Sequence, residues 1–142
     1  MKKFQLFLLL SFLFTFVAMN TTILAQSEPV MYFCEKYDSY DGEIGVSDRF
    51  TTGYLTVMVK ADDALNLRDV SIQFDQYNER KDKFEFYKKF DYTIDRDMNY
   101  VFFARNDESD MEFEEPGFYR VFLLDSRDNT VASAVIEIIR WA

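Results

Sequence analysis

The chain reads as all-β, a single antiparallel β-sandwich of about seven strands. Two patterns and one compositional fact predict this. Runs of roughly five to ten β-prone residues recur between charged or turn-forming clusters, and no long segment carries a helical stripe. The closing stretch, Glu114-Glu115-Pro116-Gly117-Phe118-Tyr119-Arg120-Val121-Phe122-Leu123-Leu124-Asp125, is followed by Ser126-Arg127-Asp128-Asn129-Thr130 and a second apolar run to Ile139. It reads as turn, strand, tight polar connection and strand, with apolar and polar residues alternating at the two-residue period of a half-buried strand. Large side chains supply the core. The chain has 16 Phe, five of them within the first 16 residues, nine Tyr and one Trp, and what lies beyond is apolar mass enough to stabilise one domain without staples.

The first 25 residues are expected to be removed. Met1-Lys2-Lys3 is a short basic start, residues 4–19 are apolar with little interruption, and Ile23-Leu24-Ala25-Gln26 offers a small residue at a cut. These are the three parts of a secretory signal, cleaved after Ala25 or Gln26. The apolar run is short for the ~20 residues a spanning helix needs, so no membrane insertion is expected after cleavage. Cys34 follows Met31-Tyr32-Phe33 and not the small residues of a lipoprotein site. The domain is therefore set at 26–142, secreted or periplasmic.

Within that domain, residues 30–35 form the first strand. The stretch from Tyr37 to Gly45 is an acidic, glycine-punctuated loop. Residues 50–60 form the second strand, with Leu55, Val57 and Val59 facing one way and Tyr54, Thr56 and Met58 the other. Residues 62–67 connect, with room for one helical turn. Val70, Ile72 and Phe74 alternate toward the core, residues 78–83 make a charged hairpin connection, and residues 84–92 return as a partner strand. The lysines of that strand suit a sheet edge, where charge discourages further pairing. Residues 100–104 are a short strand, and residues 106–115 form a second acidic loop before the closing hairpin.

A strand reading Pro-Gly-x-Tyr-x-Val-x-Leu, here Pro116 to Leu123, then an aspartate, a polar turn and an alternating apolar strand resembles the last two strands of immunoglobulin-like and fibronectin-type sandwiches. The resemblance covers the final quarter of the chain by residues and the rest by strand count and spacing. It implies that the hydroxyl of Tyr119 anchors a loop. The chain departs from antibody domains in lacking a cysteine pair and a tryptophan in its middle strands. A fold of this kind carries many unrelated functions, so the resemblance assigns no activity.

Composition excludes several functions. With no histidine and one cysteine, neither histidine-assisted nucleophilic catalysis nor a zinc shell can be built. No nucleophile elbow and no phosphate-cradling glycine loop occur. Loss of Lys2 and Lys3 takes the net charge from −9 to −11, because all 25 acidic residues lie beyond them. That charge repels nucleic acid and anionic lipid. Cys34 reads as a buried small hydrophobe without an intramolecular partner. No enzyme, no cofactor and no catalytic or metal-ligating residue is expected.

Two binding surfaces remain. If Tyr119, Val121 and Leu123 face inward, Phe122 and Leu124 face outward, as do Val131 and Val135 on the next strand. Adjacent strands apolar on both faces imply a cover, which a loop of the same chain, a partner or a second copy would supply. The expected function is a non-catalytic module that binds another envelope or extracellular protein through this hairpin. The alternative is a carbohydrate-binding domain using Tyr37, Asp38, Tyr40, Asp41 and Glu43, with calcium held by that loop or by its counterpart around Asp107, Asp110 and Glu112. Neither loop has the spacing of a dedicated calcium motif.

Overall fold

The computed structural model describes residues 28–106 and 109–141. The expected signal over 1–25, and Asp107 and Glu108 of the second acidic loop, lie outside them. Among the described residues, twelve strands stand where the sequence predicts about seven: β1 (Val30–Cys34), β2 (Lys36–Asp38), β3 (Gly42–Ile44), β4 (Arg49–Thr51), β5 (Gly53–Tyr54), β6 (Thr56–Lys60), β7 (Asp69–Asn78), β8 (Lys83–Thr93), β9 (Tyr100–Phe103), β10 (Glu112–Phe113), β11 (Gly117–Leu124) and β12 (Thr130–Ile139). The surplus is β2, β3, β4, β5 and β10, each of two or three residues.

Two sheets face each other, antiparallel throughout except where β4 joins the larger. The larger runs β4-β12-β11-β7-β8 and the smaller β1-β6-β9. The trio β12-β11-β7, extended by β8, packs on β1-β6-β9 as the two sheets of an immunoglobulin-like sandwich do. One strand joint lies where the sequence predicts continuity. The stretch 50–60 is broken at Gly53, whose φ of +139° is a glycine conformation. Upstream of the break β4 pairs parallel to β12 in the large sheet, and downstream β6 joins the small one. The connection 62–67 holds no helix, and turns instead with Asn66 at φ +56°.

The core is drawn from both sheets, as alternation requires. Met31, Phe33, Val57, Val59, Val101 and Phe103 meet Val70, Ile72, Phe74, Tyr119, Val121, Leu123, Ile136 and Ile138. Each such side chain is worth about 1.5–3 kcal/mol when fully buried. No disulfide contributes: Cys34 is a free, fully buried thiol, and burial pushes its pKa up. A chain of edge-to-face rings runs through the core instead, from Phe74 to Phe113 at 5.0 Å, Phe113 to Tyr119 at 5.1 Å and Tyr119 to Tyr87 at 5.5 Å. Such contacts add about 0.5–1.5 kcal/mol each beyond burial.

Tyr119 anchors the loop before its strand, as the resemblance implies. It is wholly buried and its hydroxyl donates to the Glu115 carbonyl oxygen at 2.6 Å. Gln76 donates to the same hydroxyl at 3.1 Å.

Candidate functional site

The outer face of the large sheet follows from the ladder registers. Phe118, Arg120 and Phe122 on β11 alternate with the buried Tyr119, Val121 and Leu123. Opposite them lie Glu137, Val135 and Ser133 on β12, and on the other side Asp75 and Gln73 on β7. Asp75 in turn pairs with Phe86 on β8, and Tyr77 with Phe84. Phe86 is 65%, Val135 52% and Phe118 48% exposed.

Arg120 lies at the centre of this face. Its guanidinium carbon stands 4.7 Å from the Phe84 ring centre and 4.8 Å from that of Phe122. Its Nη2 lies 3.4 Å from Asp75 Oδ2, and Gln73 donates to the other oxygen of that carboxylate at 2.9 Å. The Arg120 Nε is buried without an acceptor among the described residues, a consequence of seating the group between rings. Aromatic side chains around a partly desolvated arginine are the composition of binding hot spots.

The four residues expected here divide. Phe122 is half-buried and Val135 exposed, both on the outer face. Val131 does not belong to it, while Leu124 keeps the outer-face alternation, opposite Ser71 on β7, but is buried there. The β11–β12 ladder slips between Leu123 and Leu124, which faces Thr130, so Val131 has no partner in the register. A bulge of this kind adds twist and re-aims the strand end. Leu124 is 6% exposed and Val131 packs against the core. Phe84, Phe86 and Phe118 complete the face and are missing from the sequence-based set. The Phe-x-Phe spacing of 84–86 carries the same two-residue signal as the closing hairpin.

The loop expected to bind sugar is instead a two-stranded flap, β2–β3, closed over the outer face of the small sheet. Tyr37 stacks on Phe102 with ring centres 4.5 Å apart, and meets Tyr100 edge-on at 6.0 Å. Glu43 accepts from the Tyr32 hydroxyl. The hydroxyls of Tyr100 and Tyr32 hold its carboxyl below the usual range, while burial and then the bond to Glu43 push the Tyr32 pKa above the ordinary tyrosine range. Asp38 accepts from the backbone N–H groups of Tyr40 and Asp41, at 2.8 and 3.2 Å, closing its own turn. Tyr40, 96% exposed, is the one ring of the loop turned to solvent. Tyr37, Asp38 and Glu43 thus serve the flap, and the five residues do not converge. The flap also buries Met58, which lies between Tyr32 and Phe102 in the register.

A polar cavity of about 490 Å³ at the end of the large sheet is lined by Asp69, Ser71, Lys89, Asp91, Asp125 and Asp128, among others. Lys89, Asp91, Asp125 and Asp128 are engaged locally. Lys89 Nζ meets Asp128 at 2.6 Å, Ser71 donates to Asp91 at 2.7 Å, and Asp125 accepts from the backbone of Arg127 and Asn129 at 2.8 and 2.9 Å. No group of three or more His, Cys, Asp or Glu is placed to hold a metal ion among the described residues. No helix among them is long and apolar enough to cross a membrane.

No family model and no curated protein matches the chain by sequence. Two solved structures resemble it in shape. An immunoglobulin-like protein from Pseudomonas aeruginosa aligns at a TM-score of 0.44 and 9% identity, over 81% of this chain and 99% of that one. A superoxide reductase (neelaredoxin) from Ignicoccus hospitalis aligns at 0.40 and 10% identity, over 80% of this chain and 81% of that one. At this level of likeness neither carries an activity to this chain.

Proposed function

We propose that the chain is a non-catalytic interaction module, secreted or periplasmic, that binds another envelope protein through the outer face of the large sheet. One observation carries this reading: Phe86, Phe118 and Val135 stand exposed around the Phe84–Arg120–Phe122 stack. Leaving such side chains in water forgoes about 1.5–3 kcal/mol each on burial. Contiguous apolar surface of this sort marks interfaces more often than solvent-facing sheet. The arginine adds a directional donor to what would otherwise be a non-selective patch.

The test is capture of a partner from the protein's own envelope extract, with parent, Val135→Glu and Phe86→Glu forms side by side. Both substitutions sit at exposed positions and leave the core intact. The reading expects a stoichiometric protein retained by the parent and lost from both variants. Retention of the same protein by all three forms would remove this face from consideration.

A further inference from the structure

We propose that a second copy of this chain pairs with β8 along its free edge, antiparallel about Phe90, joining two five-stranded sheets into one. The strand is 11 residues long and ends the large sheet, with β7 as its one ladder partner among the described residues. No backbone hydrogen bond outside the ladders involves residues 83–93 among those residues. Its outer row of N–H and C=O groups is open to a further strand. Lysines on an edge discourage such pairing when they project freely. Lys88 does not: its Nζ donates to the Glu112 carbonyl at 3.0 Å and lies 3.4 Å from Glu114. Lys89 meets Asp128 in its own chain and has a second carboxylate, Asp91 of the other copy, in the register about Phe90.

Facing and charge select the register. The ladder to β7 slips at Phe74/Asp75, leaving Tyr87 as the extra residue. Beyond it, Lys89 lies opposite Gln73 and Asp91 opposite Ser71 on the outer face, while Phe90 lies opposite Ile72 on the core side. Two antiparallel copies must set like-facing residues against each other, so the two-fold axis passes through a residue and not between two. An axis at Lys89 or at Asp91 sets like charges directly opposite, which is destabilising. An axis at Tyr92 sets Asp91 against Thr93. An axis at Phe90 sets Lys89 of each copy against Asp91 of the other, twice, and Lys88 against Tyr92. An axis at Phe84 also pairs opposite charges, Lys83 with Glu85, but overlaps the strand over residues 83–85 alone. Among the axes beyond the slip, Phe90 is the one that makes the edge self-complementary in charge.

The pairing is separate from the face proposed above. It uses the backbone edge of β8 over residues 87–93, whereas that face is centred on Arg120 of β11 and reaches β8 at Phe84 and Phe86. Val135→Glu on β12, three strands from the edge, tests the face alone.

Sedimentation velocity on the protein purified after expression of the full chain, at micromolar concentration and physiological salt, tests the proposal. Salt matters because the acidic body repels its own copies when unscreened. The expected result is a monomer–dimer equilibrium. Lys89→Asp alone or Asp91→Lys alone converts both cross-strand attractions into repulsions and raises the dimer dissociation constant about tenfold or more. The double variant, Lys89→Asp with Asp91→Lys, restores the dimer. Hydrogen exchange of the β8 amides, slowing as protein concentration rises, gives a second readout that needs no variant. A parent that stays monomeric, or a dimer indifferent to both single variants, would overturn it.

Discussion

The Tyr119 hydroxyl donates to the Glu115 carbonyl oxygen at 2.6 Å, tying the start of β11 to the loop that precedes it. Removing the hydroxyl leaves a carbonyl without its donor and Gln76 with the Glu115 carboxylate as its remaining acceptor. Tyr119→Phe is expected to lower stability by about 1–3 kcal/mol, the range for a buried hydrogen bond lost on one side. Tyr87→Phe is the control, since its hydroxyl meets the exposed Glu114 carboxylate, and its cost is expected under about 1 kcal/mol. Urea denaturation of both, with unchanged slopes, checks the difference.

The β2–β3 flap rests on the Tyr37–Phe102 stack and the bonds to Glu43. Tyr37→Ala is expected to loosen it without unfolding the sandwich. Hydrogen exchange should quicken over residues 36–44 while β11 and β12 keep their protection. Alkylation of Cys34, slow in the parent because the thiol is fully buried, should speed up in the same variant. Uniform loss of protection would mean that the flap and the sandwich unfold as one unit.

Tyrosine ionisation sets the alkaline limit. Burial first, and then the bond to Glu43, pushes Tyr100 up to about 12; burial and the bond to Glu114 do the same to Tyr87, also to about 12. Unfolded tyrosines titrate near ~10. Between these values the unfolded chain holds fewer protons than the folded one, so stability falls as pH rises. The contribution is whole below pH ~10 and lost on passing through about 12. Tyrosinate absorbance is expected to rise together with loss of the far-UV signal, and not gradually in an intact fold.

Arg120 compensates Asp75, whose side chain is little exposed. Arg120→Met keeps the packing between Phe84 and Phe122 but leaves that carboxylate with Gln73 as its remaining donor. The expected cost is about 1–2 kcal/mol, toward the lower end because the guanidinium is part-exposed and screened. It should largely vanish in an Asp75→Asn background, and a double-mutant cycle measures the coupling.

How much of this was legible depended on the alternation of particular residues. Val70, Ile72 and Phe74, and Tyr119, Val121 and Leu123, show a clean two-residue period, and each set is buried. The period fails where the backbone departs from a plain strand. Gly53 hides a change of sheet inside a stretch that reads as one strand, and the slip beside Leu123 turns Val131 away from the outer face. Met58 reads as an outward residue and is buried because the β2–β3 flap covers it. That cover rests on Tyr37 meeting Phe102 across 65 positions of chain, a contact that local pattern does not encode.

Side-chain footprinting by hydroxyl radicals, in buffer and in the protein's own envelope extract, tests the proposed face most directly. Binding through the large sheet predicts that Phe86, Phe118 and Phe122 become protected in the extract while Tyr40, at the tip of the flap, keeps its reactivity. Protection of Tyr40 with Phe86 and Phe118 unchanged would contradict it, and would move the binding surface to the opposite sheet.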